Sequence, residues 1–151
     1  MPQPKDRWPL LQTKYLRSPW GQWKVLVTCQ CLNLTTWRQV EPVLDELFRY
    51  WPSPESLTKE CTVTGLCHMC EVLRPLGLVN TRMDRLKDMS KQFFDTWMQF
   101  GPDWEKYPVW QFRGCGAYTH DAWTLFVLKH ECRPTDKRLL FYAREVGLWK
   151  K

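Results

Sequence analysis

Apolar residues in this chain recur at three- and four-residue intervals and nowhere alternate with polar ones over the length of a strand. Between Thr36 and Pro52, one helical face collects Trp37, Val40, Val43, Leu44, Leu47, Phe48 and Trp51. Further on, Met83, Leu86, Met89, Phe93, Phe94 and Trp97 form a second such stripe. A stripe of this period can be buried only against a neighbouring surface, and with no strand pattern to supply a sheet that surface must be another helix. The expectation is an all-α fold, and 151 residues suit a single domain spanning the whole chain.

Start and stop signals divide the pattern into elements. Ser18-Pro19 reads as a cap followed by proline at the first helical position, predicting a helix over about 19–32 with Trp20, Trp23, Val27 and Cys31 facing inward. Thr36 caps the next helix, which tolerates Pro42 near its first turns and stops at Pro52-Ser53-Pro54. Two short helices follow, one from Pro54 and one from Thr64 to Leu73, the second closed by Arg74-Pro75-Leu76-Gly77. A long helix begins at Asn80 or Thr81, with Arg82, Arg85, Lys87 and Lys91 away from its apolar side. Gly101 to Trp104 is a loop, Tyr107 to Phe112 a short helix, and Gly114-Cys115-Gly116 a tight turn into a helix over about 118–130. The last helix starts near Pro134-Thr135-Asp136 and ends before Gly147.

Lysine and arginine number 22 against 16 aspartates and glutamates, a net charge of +6 that favours an anionic partner such as nucleic acid. No apolar run approaches the length of a membrane span, and the first residues lack an apolar signal core, so an intracellular protein without a membrane partner is expected. Seven cysteines are an odd number without disulfide-scaffold rhythm, which suggests reduced thiols. Cys61, Cys67, His68 and Cys70 have the spacing of half a zinc site, but no second pair completes it, and no metal is expected there. The ten tryptophans are either core or stacking surface.

The segment with chemical content is Phe112-Arg113-Gly114-Cys115-Gly116-Ala117-Tyr118, between two helical stretches (about 107–130 overall). A Gly-x-Gly turn feeding a helix leaves backbone N–H groups outward at a helix N-terminus, a natural seat for a phosphate. With it come, in order, Leu11-Gln12, Ser18-Pro19-Trp20, Cys31-Leu32-Asn33-x-Thr35, Pro42-Val43-Leu44, Arg74-Pro75-Leu76-Gly77-Leu78, Gly114-x-Gly116-x-Tyr118-x-x-Asp121 and Pro134-x-Asp136-x-x-Leu139. In this ordered set the chain resembles the helix-hairpin-helix DNA glycosylases of the endonuclease III superfamily. It is most similar to the branch that removes thymine or uracil mispaired with guanine and whose members carry a methyl-CpG-binding domain.

That resemblance implies a two-lobed fold with the active site between the lobes and a monofunctional glycosylase working on double-stranded DNA as a monomer in base excision repair. Asp136 follows Tyr118 at the family's spacing from hairpin to catalytic aspartate; read from its residues alone, it is a helix N-cap or first-turn carboxylate after proline. Lyase members carry lysine where this chain has Tyr118, and only an amine forms a Schiff base with the opened sugar, so lyase activity is not expected. The resemblance places Gln12, Tyr118 and Leu11 in the base pocket, although Gln12 alone would read as solvated and Tyr118 as a buried aromatic. Leu78 becomes the wedge entering the base stack, or else a cap contact of its helix. Leu34 stands where the vertebrate relatives place an arginine in the helical gap. Arg113, Gly114, Gly116, Ala117 and Arg138 would meet the DNA backbone, and a monovalent cation would sit on hairpin carbonyls. No iron–sulfur cluster is expected, because no four-cysteine run follows Leu139. Arg113 and Cys115 depart from the family's proline and branched aliphatic residue, and Asp121 is the rival acid. Two other readings remain: an enzyme that modifies an extruded thymine derivative in viral DNA, and a helix-hairpin-helix module that grips DNA without catalysis.

Overall fold

The computed structural model describes residues 10–59 and 67–151. Helix α1 covers Leu11–Leu16, α2 Gly21–Cys31, α3 Trp37–Tyr50, α4 Pro54–Thr58 and α5 His68–Leu73. A 3-10 turn at Arg74–Leu76 leads to the long α6, Val79–Phe100, and 3-10 turns at Trp104–Lys106 and Val109–Gln111 lead to α7, Ala117–Ala122. Helix α7 runs on as wider π turns over Trp123–Leu128, and α8 covers Lys137–Glu145. One isolated parallel bridge joins Cys132 to Trp149. The described residues are mostly helical, in keeping with the all-α expectation.

Helix α2 organises the core. Gly21 and every residue from Trp23 to Cys31 are buried, the polar Lys24, Thr28 and Gln30 among them, as suits a helix packed on several sides. Trp23, Leu26, Val27 and Cys31 join the larger apolar cluster, shared with α3, α5 and α6. Val25 and Cys29 turn to a smaller one that includes Leu125, Phe126, Leu139 and Ala143. The indole Nε1 of Trp23 donates to Ser90 Oγ of α6 at 2.9 Å, with both side chains fully buried. Trp23 and Trp123 are core, whereas Trp110 is exposed and stacks on His120 with ring centres 4.3 Å apart.

Several element boundaries differ from expectation for local steric reasons. Helix α2 starts at Gly21, not Pro19, because Trp20 adopts a left-handed conformation at φ 60° and the chain turns there. A Cβ on Gly21 would lie 1.8 Å from the Leu16 carbonyl oxygen, so only glycine lets the turn approach α1 this closely. Ser18 closes the end of α1, donating to Tyr15 O at 2.6 Å. Helix α6 starts at Val79 from a left-handed Leu78, and Arg82, expected on its polar side, is buried. The segment expected to be a short helix over 107–112 is a 3-10 turn at Val109–Gln111. The expected helical start at Thr64, like Cys61, lies outside the described residues, and α5 begins at His68. Thr36 does cap α3, accepting from Gln39 N while the Gln39 side chain accepts from Thr36 N.

Candidate active site

A cleft of about 570 Å³ opens where the start of α1, the end of α2 and its following loop, the Gly114–Thr119 turn and the start of α8 meet α6. Gln12, Leu34, Gly114, Gly116, Ala117, Tyr118, Asp136 and Arg138 all line it, although they come from four separate parts of the chain. Three arginines, Arg82, Arg85 and Arg138, face one acid, Asp136, among its lining residues. The cleft is therefore positive in balance and suits an anion.

Gln12 is fully buried in the wall. Its Nε2 donates to Tyr118 Oη at 2.9 Å and approaches Cys29 Sγ at 3.6 Å, while its Oε1 has no hydrogen-bond partner among the described residues. An orphaned buried carbonyl costs stability, so an acceptor kept this way in a cleft wall is a candidate for meeting a ligand's N–H. Burial pushes the Tyr118 hydroxyl well above the usual phenol range, and the nearby Cys29 and Asp136 add to the effect. Burial also pushes the Cys29 thiol up to about 12. Both groups stay protonated at neutral pH, and the pocket floor is uncharged.

Asp136 is the N-cap of α8. Its Oδ1 accepts from the backbone N–H groups of Arg138 and Leu139, each at 3.0 Å. These bonds fix the carboxylate in orientation, and no hydrogen bond to Oδ2 occurs among the described residues. The cap role read from the residues is thus present, and the same half-buried side chain lies on the cleft. Asp121, the rival acid, accepts from Cys132 Sγ at 3.4 Å and is not among the lining residues.

The hairpin turn is locked from below by a residue that sequence reasoning missed. Gln30 Nε2 donates to Arg113 O at 2.8 Å, and its amide lies under Gly114. Gly114 sits at φ +77°, where a Cβ would come within 2.9 Å of the Gln30 side chain. Only glycine meets both conditions without strain. Gln30 left a faint signal, being a long polar residue between two cysteines shortly after the apolar run Val25-Leu26-Val27. Its own Oε1 is orphaned too.

Two of the expected contact residues lie elsewhere. Leu11 is 3% exposed and belongs to the larger apolar cluster, outside the cleft lining. The Arg113 guanidinium pairs with Asp88 of α6, while its backbone N donates to Gln92 Oε1 at 2.8 Å. Leu34 and Leu78 are exposed by 83% and 57%, each at a loop tip and each left-handed, at φ 61° and 49°. Cys67 and Cys70 lie in the core with Sγ atoms 3.0 Å apart, both in contact with Met83 Sδ. No group of three or more His, Cys, Asp or Glu side chains placed to hold a metal occurs among the described residues. No helix among them is long and apolar enough to cross a membrane.

No family model matches the chain. It is similar to a methyl-CpG-binding domain protein 4-like protein from Arabidopsis thaliana, 28% identical over 144 residues. The aligned stretch is 92% of this chain but 28% of that protein, so the chain spans somewhat over a quarter of its relative's length. That relative is named for a methyl-CpG-binding domain.

Proposed function

We propose that this chain is a monofunctional DNA N-glycosylase that hydrolyses the glycosidic bond of a mispaired or damaged pyrimidine turned out of double-stranded DNA, in base excision repair. The observation that carries the reading is the convergence of Gln12, Tyr118 and Asp136 on one positive cleft. In this reading the outward N–H groups at Gly116 and Ala117, with Arg138, hold backbone phosphates beside the target. Leu78 and Leu34 enter the stack and fill the space the nucleotide leaves, which offsets the few kcal/mol that extrusion costs. Gln12 Oε1 accepts from N3–H of thymine or uracil, an N–H that cytosine lacks. As the bond between C1′ and N1 breaks, positive charge grows on the sugar, and the Asp136 carboxylate stabilises it from a fixed position. A water then adds at C1′ and gives its proton to Asp136, and the base leaves with the bonding electron pair. With a protonated phenol at 118 and no amine there, no Schiff base forms and the abasic strand is left uncut.

The resemblance also implies a monovalent cation on the hairpin. The Phe112 and Arg113 carbonyls already accept from Cys115 N at 3.1 Å and Gln30 Nε2 at 2.8 Å. Each carbonyl keeps a second lone pair that could face an ion, and no step is routed through one.

The test is single-turnover incubation with duplexes carrying G·T, G·U, A·U or 5-hydroxymethyluracil pairs, analysed with and without alkali. Strand cleavage that requires alkali and vanishes in Asp136→Asn is expected. Tight binding without base release on any substrate would sink the reading in favour of a DNA-gripping module, which the cap role of Asp136 alone would then explain.

A further inference from the structure

Two loops carry the exposed leucines assigned above to the base stack, and a single buried guanidinium ties these loops together. Arg82, on the first turn of α6, is 7% exposed. Its Nε donates to Gly77 O at 2.9 Å and its Nη2 to Leu76 O at 3.3 Å, which fastens the turn that ends on Leu78. The same Nη2 donates to Asn33 O at 2.9 Å and Nη1 to Gln30 O at 3.2 Å, which fastens the end of α2 and the loop that carries Leu34. Among the described residues no carboxylate pairs with it. A buried guanidinium without a counter-charge is costly, and a purely structural tie between two loops could be made by apolar packing. What the planar fork adds is direction, since its donors fix two backbones at one separation and orientation.

We infer that Arg82 is a positioning residue for nucleotide extrusion: it holds the Leu34 and Leu78 tips as one rigid two-pronged wedge. The inference rests on the glycosylase reading for the role of the leucines. Arg82 itself touches no reacting atom, so its effect falls on the step that opens the duplex and not on bond cleavage. Lysine keeps the charge but, as a point donor, cannot span four carbonyls in two loops.

The experiment compares wild type with Arg82→Lys on the same target nucleotide in a fully paired duplex and in a single strand. A 2-aminopurine beside the target reports unstacking without any need for base release. The expected result is about a 100-fold slower release from the duplex, with loss of the fluorescence rise, and a change of less than about 3-fold on the single strand, as for a misplaced element remote from the chemistry. Equal losses on both substrates would reduce Arg82 to a structural tie, and no loss on either would remove it altogether; both outcomes overturn the inference. Should Arg82→Lys fail to fold, Leu34→Ala, Leu78→Ala and the double variant provide the test. A rigid unit predicts a double variant scarcely worse than the more severe single, and effects that multiply overturn it. A fluorescence rise without base release in wild type would sink the glycosylase reading while leaving the wedge standing, and no rise at all would sink both.

Discussion

An asparagine at position 136 can accept the same two backbone N–H bonds through Oδ1 that the aspartate accepts now. Asparagine and aspartate are equally good N-caps, so Asp136→Asn is expected to leave the melting temperature nearly unchanged while abolishing base release. Asp136→Ala is expected to lose the activity and, in addition, about 1 kcal/mol of stability. Thermal melts run beside single-turnover assays separate the two roles, and a large stability loss in the asparagine variant would contradict this account. The family resemblance grouped Asp136, Tyr118 and Gln12, and the structure brings all three to one cleft. Arg82 and Gln30 were not legible in this way, because a polar residue in a helical pattern reads as outward-facing, and nothing local shows that its partners are carbonyls from distant loops. Leu11 lies in the core while its neighbour Gln12 lines the cleft, because successive helical residues point in different directions.

At the scale of elements, the contact between α2 and α6 supports one whole side of the cleft. Its polar components are the Arg82 to Gln30 O bond and the Trp23 to Ser90 hydrogen bond, the latter made where neither side chain meets solvent. Ser90→Ala would leave the indole N–H buried and unpaired, at an expected cost of about 1–3 kcal/mol in chemical denaturation. Ser90→Thr, which keeps the hydroxyl, should recover part of that loss. Where helices exist was clear from periodicity, and Thr36 marked its own helix through a capping box. Where α2 and α6 begin was not clear, because their first turns are set by left-handed Trp20 and Leu78, residue types that carry no turn signal. The widened turns over Trp123–Leu128 left no pattern to read either.

For the whole molecule, two bulk responses follow. If the proposed function holds, binding to duplex DNA weakens with salt, and Arg85→Gln or Arg138→Gln should each reduce the slope of log affinity against log salt by about 1 wherever that side chain meets a phosphate. An unchanged slope would place that arginine off the DNA path. Stability should also fall in alkali. Burial holds the thiols of Cys29 and Cys31 up to about 12, and those of Cys115 and Cys132 up to about 11, from an ordinary value of 9.0. The folded state therefore keeps protons that the unfolded chain releases, so this contribution is whole below pH 9.0 and is lost as pH climbs towards about 12. Urea midpoints measured between neutral pH and pH about 11 should decline steadily above the ordinary thiol value, and a flat profile would contradict the buried-thiol account. The left-handed leucines at 34 and 78 bear on how such a protein can be improved. Glycine would relieve both backbones, by about 1 kcal/mol each. A laboratory selection for heat resistance alone should therefore discover Leu34→Gly and Leu78→Gly early, and, on the proposed glycosylase reading, the hardier protein it delivers would no longer open paired DNA.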